Sequence, residues 1–318
     1  MSLAELEAKV KEISKKYDVV VERADTIDDP CTTIPTGSPK IDLALGGGLP
    51  SGKLIEIYGP PDVGKSTLAF SIMSQAAKMG FLCAYMDVER SWDPAYVESI
   101  IGKENLTSIY RMHGKTSEEV IDATELLILT GQFKVVVIDS IPALVPRSQA
   151  ESDLGTGRQG ARAALLSLAL PKLITAADDN DTMVLLINQF RTKLGRITYL
   201  EPTGGWAMRH YPCVRLALSK TDGKPKDTES NYITVEVIRS KYKANKALVE
   251  TSIVRGMGYD HAADTIDIAS DYGIITRSGT WYAYGDTKIG QGMEKAKAFL
   301  LDNPEIYSKI WESIRDVG

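Results

Sequence analysis

The stretch Gly59-Pro60-Pro61-Asp62-Val63-Gly64-Lys65-Ser66-Thr67 decides how this chain is read. It has the spacing of a phosphate-binding loop. Its glycines permit tight backbone turns, so successive N–H groups face an anion at a helix N-terminus. Lys65 would reach the β- and γ-phosphates of a nucleotide, and the Ser66 hydroxyl would ligate Mg²⁺. The context is the required one. "LIEIYG" before the loop is an apolar strand, and "KSTLAFSIMSQAAKMG" after it is a helix closed by Gly80.

Outward from the loop the pattern is α/β. "FLCAYMD" is a second buried strand, followed by a helix near Pro94–Ile101. A helix over Ser117–Thr130 precedes the strand "KVVVIDS", and a helix over Gly160–Ala177 precedes "TMVLLINQ". Apolar strands alternating with amphipathic helices predict a mostly parallel sheet covered on both faces. From Cys213 to Val254, "CVRLALS", "NYITVEVIRS" and "ALVETSIV" follow without helices and predict antiparallel additions at the sheet edge. Beyond about Asp260, short helices and "TWYAYG" predict a small α/β appendage.

Asp139 ends the buried strand "VVVIDS", where a carboxylate holds the shell of a magnesium ion. Glu89 follows "LCAYMD" and has two readings, a base that aligns an attacking water or a surface carboxylate in a loop. Cys31, Cys83 and Cys213 form no C-x-x-C pair, which suits a reducing compartment. The three histidines lack metal-ligand spacing. "MSLAELEAKVKEIS" lacks the layout of a secretory signal and no apolar run has the length of a membrane span, so a soluble cytoplasmic protein without a membrane partner is expected.

At the N-terminus Leu3, Leu6, Val10 and Ile13 recur at helical spacing, and "DVVVE" (Asp18–Glu22) is a candidate strand. A polar linker separates this element from the phosphate-binding body. It either folds back on its own core or docks on a neighbouring subunit.

The net charge of −5 gives no global sign of nucleic-acid binding. One segment runs the other way: Arg191, Lys193, Arg196, Arg209 and Arg215 face the single acid Glu201 between Leu186 and Arg215. That basic island suits phosphate-backbone contact, or is a solvated charged loop.

Six stretches together resemble the bacterial RecA recombinases: "TGSPKIDLALGGGLPSGKLIEIYGPPDVGKSTL", "AYMDVERSWDPAYV", "VVVIDSIPALVP", "LLINQFRTKLG", "TGGWAMRHYPCVRL" and "GTWYAYGDTKIGQGMEKAKAFLLDNPE". They keep the family's order and spacing from about Thr36 to Pro304, and generic phosphate-loop ATPases lack the "KIGQG…DNPE" region. The resemblance implies a RecA-like ATPase core over residues 27–260, an N-terminal helix-strand oligomerisation element over 1–26 and a small C-terminal α/β domain over 261–318. It implies an ATP- and Mg²⁺-dependent DNA-stimulated ATPase. Such a protein forms helical homo-oligomeric filaments on single-stranded DNA and exchanges strands with homologous double-stranded DNA.

By that resemblance Gly59–Thr67 bind nucleotide, Ser66 and Asp139 hold the metal, and Glu89 activates water. Asp93 and Tyr96 contact the adenine, and Gln189 senses the γ-phosphate and relays it to the DNA loops. Arg239 and Lys241 reach across a subunit boundary to the neighbour's ATP. Two loops hold DNA, about Pro146–Gly160 and about Phe190–Gly205. They and the residues beside them supply Arg158, Gln159, Gly160, Arg162, Arg191, Thr192, Lys193, Arg196, Thr203, Gly204, Gly205 and Trp206. The chain departs from the family pattern at Ala164, Pro171, Trp206 and His210, which marks a divergent member of viral or bacterial source. Trp206 stacks on a base or packs in the core, and packing is the expectation. The rival readings are a DNA-binding regulatory filament without strand exchange and a hexameric helicase with a related core.

Overall fold

The computed structural model describes residues 2–21, 23, 25, 32–151, 160–193, 199–221, 230–241 and 247–317. The chain divides into two units, Met1–Thr32 and Thr33–Gly318.

The first unit holds helix α1 (Leu3–Tyr17). Its start is a capping box. Glu5 N–H donates to Ser2 Oγ, and Ser2 N–H donates back to Glu5 Oε2 at 2.7 Å. Asp18 ends the helix in the left-handed region at φ 51°. Leu3, Leu6, Ile13 and Tyr17 are exposed on it. The strand expected at Val19–Val21 is not formed. A strand needs a ladder partner, and the described residues of this unit contain no other strand.

The second unit opens with β1 (Thr33–Ile34), α2 (Pro39–Leu45) and β2 (Leu49–Pro50). The α/β alternation follows as β3 (Leu54–Gly59), α3 (Lys65–Lys78), β4 (Leu82–Asp87), α4 (Pro94–Ile101), β5 (Ile109–Met112), α5 (Ser117–Leu129) and β6 (Phe133–Asp139). The chain continues through α6 (Arg147–Ala150), α7 (Ala161–Asp179), β7 (Met183–Lys193), β8 (Tyr199–Pro202) and α8 (Gly205–His210). It then enters β9 (Val214–Lys220), β10 (Ser230–Ser240), β11 (Leu248–Val254) and β12 (Gly258–Tyr259).

β1 and β2 pair with each other, and β3 to β12 form one sheet in the order β12-β11-β10-β9-β3-β7-β6-β4-β5, with β8 paired to β7. From β9 to β5 every pairing is parallel. Period-two alternation sends successive apolar residues to opposite faces. Ile55, Ile57, Val135 and Val137 pack on the α3 side, while Leu54, Val136 and Ile138 pack on the α7 side.

Two expectations need correction. The run from Cys213 was expected to add antiparallel strands throughout, yet β9 is parallel to β3, and only β10, β11 and β12 are antiparallel additions. The reason is that β8 and α8 return the chain to the end of the sheet where β3 begins, and there Cys213 N–H donates to Leu54 O at 2.7 Å. The edge strand β5 was not anticipated; it is four residues long and only partly buried, so it carries little periodic signal.

The C-terminal part comprises α9 (His261–Asp271), β13 (Ile275–Ser278), β14 (Trp281–Tyr284), β15 (Thr287–Gln291), α10 (Met293–Asp302) and α11 (Pro304–Val317). Its three-stranded antiparallel sheet and its helices share a core around Ile266, Ile289, Leu300 and Ile310. Gly290 is required there, because a Cβ would lie 2.5 Å from the Ala296 nitrogen. The fold is therefore α/β, a large mostly parallel sheet flanked by helices with a small C-terminal sheet. Among the described residues no helix is long and apolar enough to cross a membrane, and Cys83 and Cys213 are buried. Cys31 lies outside the described residues.

Candidate nucleotide and nucleic-acid sites

The phosphate loop leaves the sheet where β3 ends. A Cβ at Gly59 would lie 2.4 Å from Leu218 O, and one at Gly64 would lie 2.3 Å from Ile253 Cδ1 with φ at 95°, so both positions demand glycine. Val63 is buried and anchors the loop between Pro60-Pro61-Asp62 and α3. The first helical hydrogen bond runs from Leu68 N–H to Gly64 O at 2.9 Å. The N–H groups of Lys65, Ser66 and Thr67 precede that ladder and face the loop, which makes an anion cradle. Lys65 Nζ donates to Pro60 O at 2.7 Å within the same loop. Burial pulls its pKa down, opposed by the charges of Asp139, Glu89 and Asp62.

Three parallel strands, β4, β6 and β7, bring the remaining groups to this end of the sheet. Asp139, at the end of β6, accepts on Oδ2 from Ser66 Oγ and from Tyr85 Oη, both at 2.6 Å. Burial pushes its carboxyl above the usual range. Glu89, just past β4, accepts from Ser140 Oγ and from Gln189 Nε2, the latter at 3.2 Å. Of the two readings for Glu89 the structure favours neither by burial, since it is exposed, yet it joins the carboxylate to the expected sensor.

One hydroxyl and one carboxylate is a sparse donor set, and no group of three His, Cys, Asp or Glu residues able to hold a metal exists among the described residues. Magnesium fits such a set, because it keeps waters and takes oxygens from substrate phosphates instead of filling an all-protein cage. Asp93 caps α4 by accepting from Ala95 and Tyr96 N–H at 3.0 and 3.3 Å. Tyr96 Oη lies 2.7 Å from Thr67 Oγ1, which ties this pair to the head of α3 beside the phosphate loop.

Arg239 and Lys241 are elsewhere. Arg239 pairs with Arg215, which pairs with Glu56, and Ser240 pairs with Val214, which pairs with Ile55. They therefore stand level with the start of β3, at the end of the sheet opposite Gly59. Three residues of strand, from Glu56 to Gly59, amount to about 10 Å along the sheet before two further strands are crossed. The fold does not bring these cations to the phosphate loop of their own chain. Arg239 Nη1 donates to the carbonyls of Arg209 and His210 at 2.8 and 3.0 Å, and the Lys241 side chain is exposed.

Of the expected DNA-facing residues, Arg158, Gln159 and Arg196 lie outside the described residues. Gly160 is the N-cap of α7 at φ 89°. Arg162 is half-buried and donates from Nε to Leu144 O at 2.7 Å. Arg191, Thr192 and Lys193 extend β7 and pair with Glu201, Leu200 and Tyr199 of β8, so the segment forms a hairpin. Thr203 and Gly204 lead into α8, and a Cβ on Gly204 would lie 2.4 Å from Met208 Cγ. Gly205, at φ 69°, opens the helix.

Trp206, expected to pack in the core, is 71% exposed. α8 buries Ala207 and Met208, which turns Trp206 outward; its ring meets His210 edge-on at 4.5 Å, and the Arg209 guanidinium lies 5.7 Å away. Arg215, counted in the basic island, is buried and bonded to Glu56 Oε2 at 2.5 Å, so it belongs to the interior.

Three residues escaped the sequence reading. Tyr85 on β4 donates to Asp139, and its only sign was a polar tip in an apolar strand. Glu56 and Asn188 form a buried polar pair. The one acid in "LIEIYG" was the available signal.

Two family models match the chain, the RecA N-terminal domain over residues 4–260 and the RecA C-terminal domain over residues 263–317. Protein RecA of Lactobacillus johnsonii is 34% identical over 319 residues, covering 98% of this chain and 88% of that protein. Protein RecA of Deinococcus radiodurans is 38% identical over 289 residues, covering 88% of this chain and 78% of that protein. The corresponding protein of Methylobacterium sp. is 39% identical over 289 residues, covering 89% and 79%.

Proposed function

The chain belongs to the RecA family, and on that premise we propose that it is an ATP-dependent recombination and repair protein that assembles head to tail on single-stranded DNA and exchanges strands with a homologous duplex. The observation that carries the reading is the separation just described. Lys65, Ser66, Glu89, Asp139 and Gln189 gather at one end of the sheet, and Arg239 and Lys241 stand at the other. In this reading the site is completed by the next protomer's cations, through a heterologous contact whose rotation does not close and which therefore builds a helix, where a closing rotation would give a ring.

Within such an interface each residue has a role its position supports. The N–H groups of Gly64–Thr67 and Lys65 receive the triphosphate of ATP. Asp93 and Tyr96, tied to α3 through Thr67, flank the base. Ser66 and Asp139 would hold Mg²⁺, which neutralises phosphate charge when bound. Glu89 takes the proton of the attacking water, oriented by Ser140 and Gln189. Arg239 and Lys241 of the adjoining protomer meet charge developing at the γ-position, so hydrolysis depends on assembly. For Arg239 this means exchanging the Arg209 and His210 carbonyls for phosphate oxygens.

In this reading residues 1–26 are the docking element, 27–260 the ATPase core and 261–318 a small C-terminal domain. The exposed apolar residues of α1 and Val19–Val21 meet a neighbouring copy, where the latter segment gains a ladder partner. The hairpin of β7 and β8, Thr203–Trp206 and the Pro146–Gly160 segment hold single-stranded DNA through its backbone, largely without regard to base sequence.

A second reading, a regulatory filament without strand exchange, is favoured by one observation: Arg162 is engaged with Leu144 O instead of standing free for DNA. Strand exchange between a single-stranded circle and a homologous linear duplex tests the proposal. Joint molecules and nicked circles are expected with ATP. Coating of the single strand with no joint molecules would select the second reading.

A further inference from the structure

Glu56 is the one charged residue in a strand whose every position is buried, and it is itself 0% exposed. Leu54, two residues earlier on the same face of the strand, is apolar and buried, so an apolar residue fills such a place there. Replacing a buried ion pair by well-packed apolar groups is often neutral or stabilising, so packing alone does not account for it. The contacts of Glu56 indicate what it does. Oε2 accepts from Arg215 Nε at 2.5 Å, and Oε1 accepts from Asn188 Nδ2 at 2.8 Å.

Asn188 stands between the two proposed functions. Its Nδ2 also donates to Thr203 O at 2.7 Å, at the head of α8, and its Oδ1 accepts Gln189 N–H at 2.9 Å. The amide can satisfy all three partners in one orientation only. Flipped, its oxygen would face both the Glu56 carboxylate and the Thr203 carbonyl. Gln189 in turn reaches Glu89, and Thr203 leads into Gly204, whose missing side chain leaves room for Met208 of α8 and Leu166 of α7. The Arg215 guanidinium lies 5.0 Å from the Tyr58 ring, and Tyr58 meets Phe190 edge-on at 5.2 Å, which adds a second tie between β3 and β7.

We infer that Glu56 is a positioning residue: by locking the Asn188 amide, it makes the nucleotide-facing Gln189 and the head of α8 move as one, and so couples the phosphate site to the DNA-facing segment. The inference rests on the proposed function for what the two ends bind, but the linkage itself has a readout free of DNA. Trp206 on α8 is exposed and serves as an intrinsic fluorophore, with Trp206→Phe giving the background from the other tryptophans.

The full chain is titrated with ATP in three forms: wild type, Glu56→Leu with Arg215→Met, and Asn188→Ala. The second variant leaves the Glu56–Arg215 pair intact and covers the case in which the first does not fold. Wild type is expected to change Trp206 emission on binding ATP. Each folded variant is expected to bind ATP within about twofold of wild type, with a similar melting temperature, yet to lose at least four-fifths of that change. Its basal turnover should persist while stimulation by single-stranded DNA falls about tenfold. An undiminished Trp206 response in Asn188→Ala overturns the inference, as does a wild type whose emission ATP leaves unchanged. A variant in which affinity, melting and basal turnover decline together is only structural and also overturns it. If the emission change is present and lost on mutation while wild type ignores DNA, the linkage stands and the proposed function falls.

Discussion

Gln189 Nε2 donates to Glu89 Oε1 across 3.2 Å, joining the ends of two strands from residues one hundred apart in the chain. The bond places an amide that can sense a phosphate on the carboxylate that can deprotonate water. Replacing Glu89 by Gln keeps the shape and removes the base. Turnover is expected to fall about 100-fold or more, the usual yield of a positioned general base, with ATP affinity within twofold. Phosphate release and titration with a fluorescent ATP analogue measure both. Normal turnover would remove Glu89 from that role.

The proposal puts Lys65 and Ser66 at an earlier step, nucleotide and Mg²⁺ binding. Lys65→Ala is expected to abolish measurable ATP binding, because the cradle loses its only side-chain cation. Ser66→Ala is expected to retain nucleotide but to need a higher Mg²⁺ concentration for turnover, since Asp139 would be left as the sole protein ligand. Unaltered Mg²⁺ dependence would exclude Ser66 from the metal shell.

The distance of Arg239 and Lys241 from their own phosphate loop can be tested by mixing two defective chains. Glu89→Gln lacks the base and Lys241→Ala lacks a cation, so each alone should be nearly inactive. In an equal mixture an intact loop meets an intact neighbour at about a quarter of random head-to-tail contacts, and turnover should recover in that proportion. Lys241 is the better choice, since Arg239 also binds the carbonyls of Arg209 and His210 and its loss disturbs α8. No recovery would mean that the cations do not act across a contact.

A buried carboxyl, Asp264, and a half-buried one, Asp42, make a pH prediction. Asp42, which accepts Thr36 N–H, and Asp264, which accepts Ser38 Oγ and Thr251 Oγ1, are each pushed by burial up to about 6. The folded chain thus keeps protons that the unfolded chain has released. Their stabilising contribution is complete below the ordinary value of 3.8 and is lost as pH rises through about 6. The unfolding free energy of wild type relative to Asp264→Asn should fall on the order of 3 kcal/mol between pH 4 and pH 7. A constant difference, measured by denaturant titration, would contradict the assignment.

Much of this was legible in the sequence because it is local. The glycine spacing of the loop and its strand–loop–helix context are local, and Asp139 is marked by the apolar strand it ends, whereas the contacts that crowd Gly59 and Gly64 come from Leu218 and Ile253 on distant strands. Interior contacts between distant strands were not legible. Arg215 reads as one more cation in a basic segment until its register against Glu56 is known. Trp206 reads as core until α8 is seen to bury Ala207 and Met208 instead. The direction of β9 depended on where β8 and α8 deliver the chain, which no periodicity encodes.

Removal of residues 1–17 should leave a folded ATP-binding chain, since every core cluster lies within Thr33–Gly318. Thermal melting should be unchanged while filaments in electron micrographs disappear. Filaments that survive the truncation would refute docking by α1.

The most direct test of a nucleotide site completed between protomers on DNA is steady-state phosphate release with and without single-stranded DNA. Slow turnover by the free protein is expected, with a rise of about tenfold or more on DNA, where neighbouring protomers would supply Arg239 and Lys241. Equal rates at DNA concentrations that fully bind the protein would contradict it.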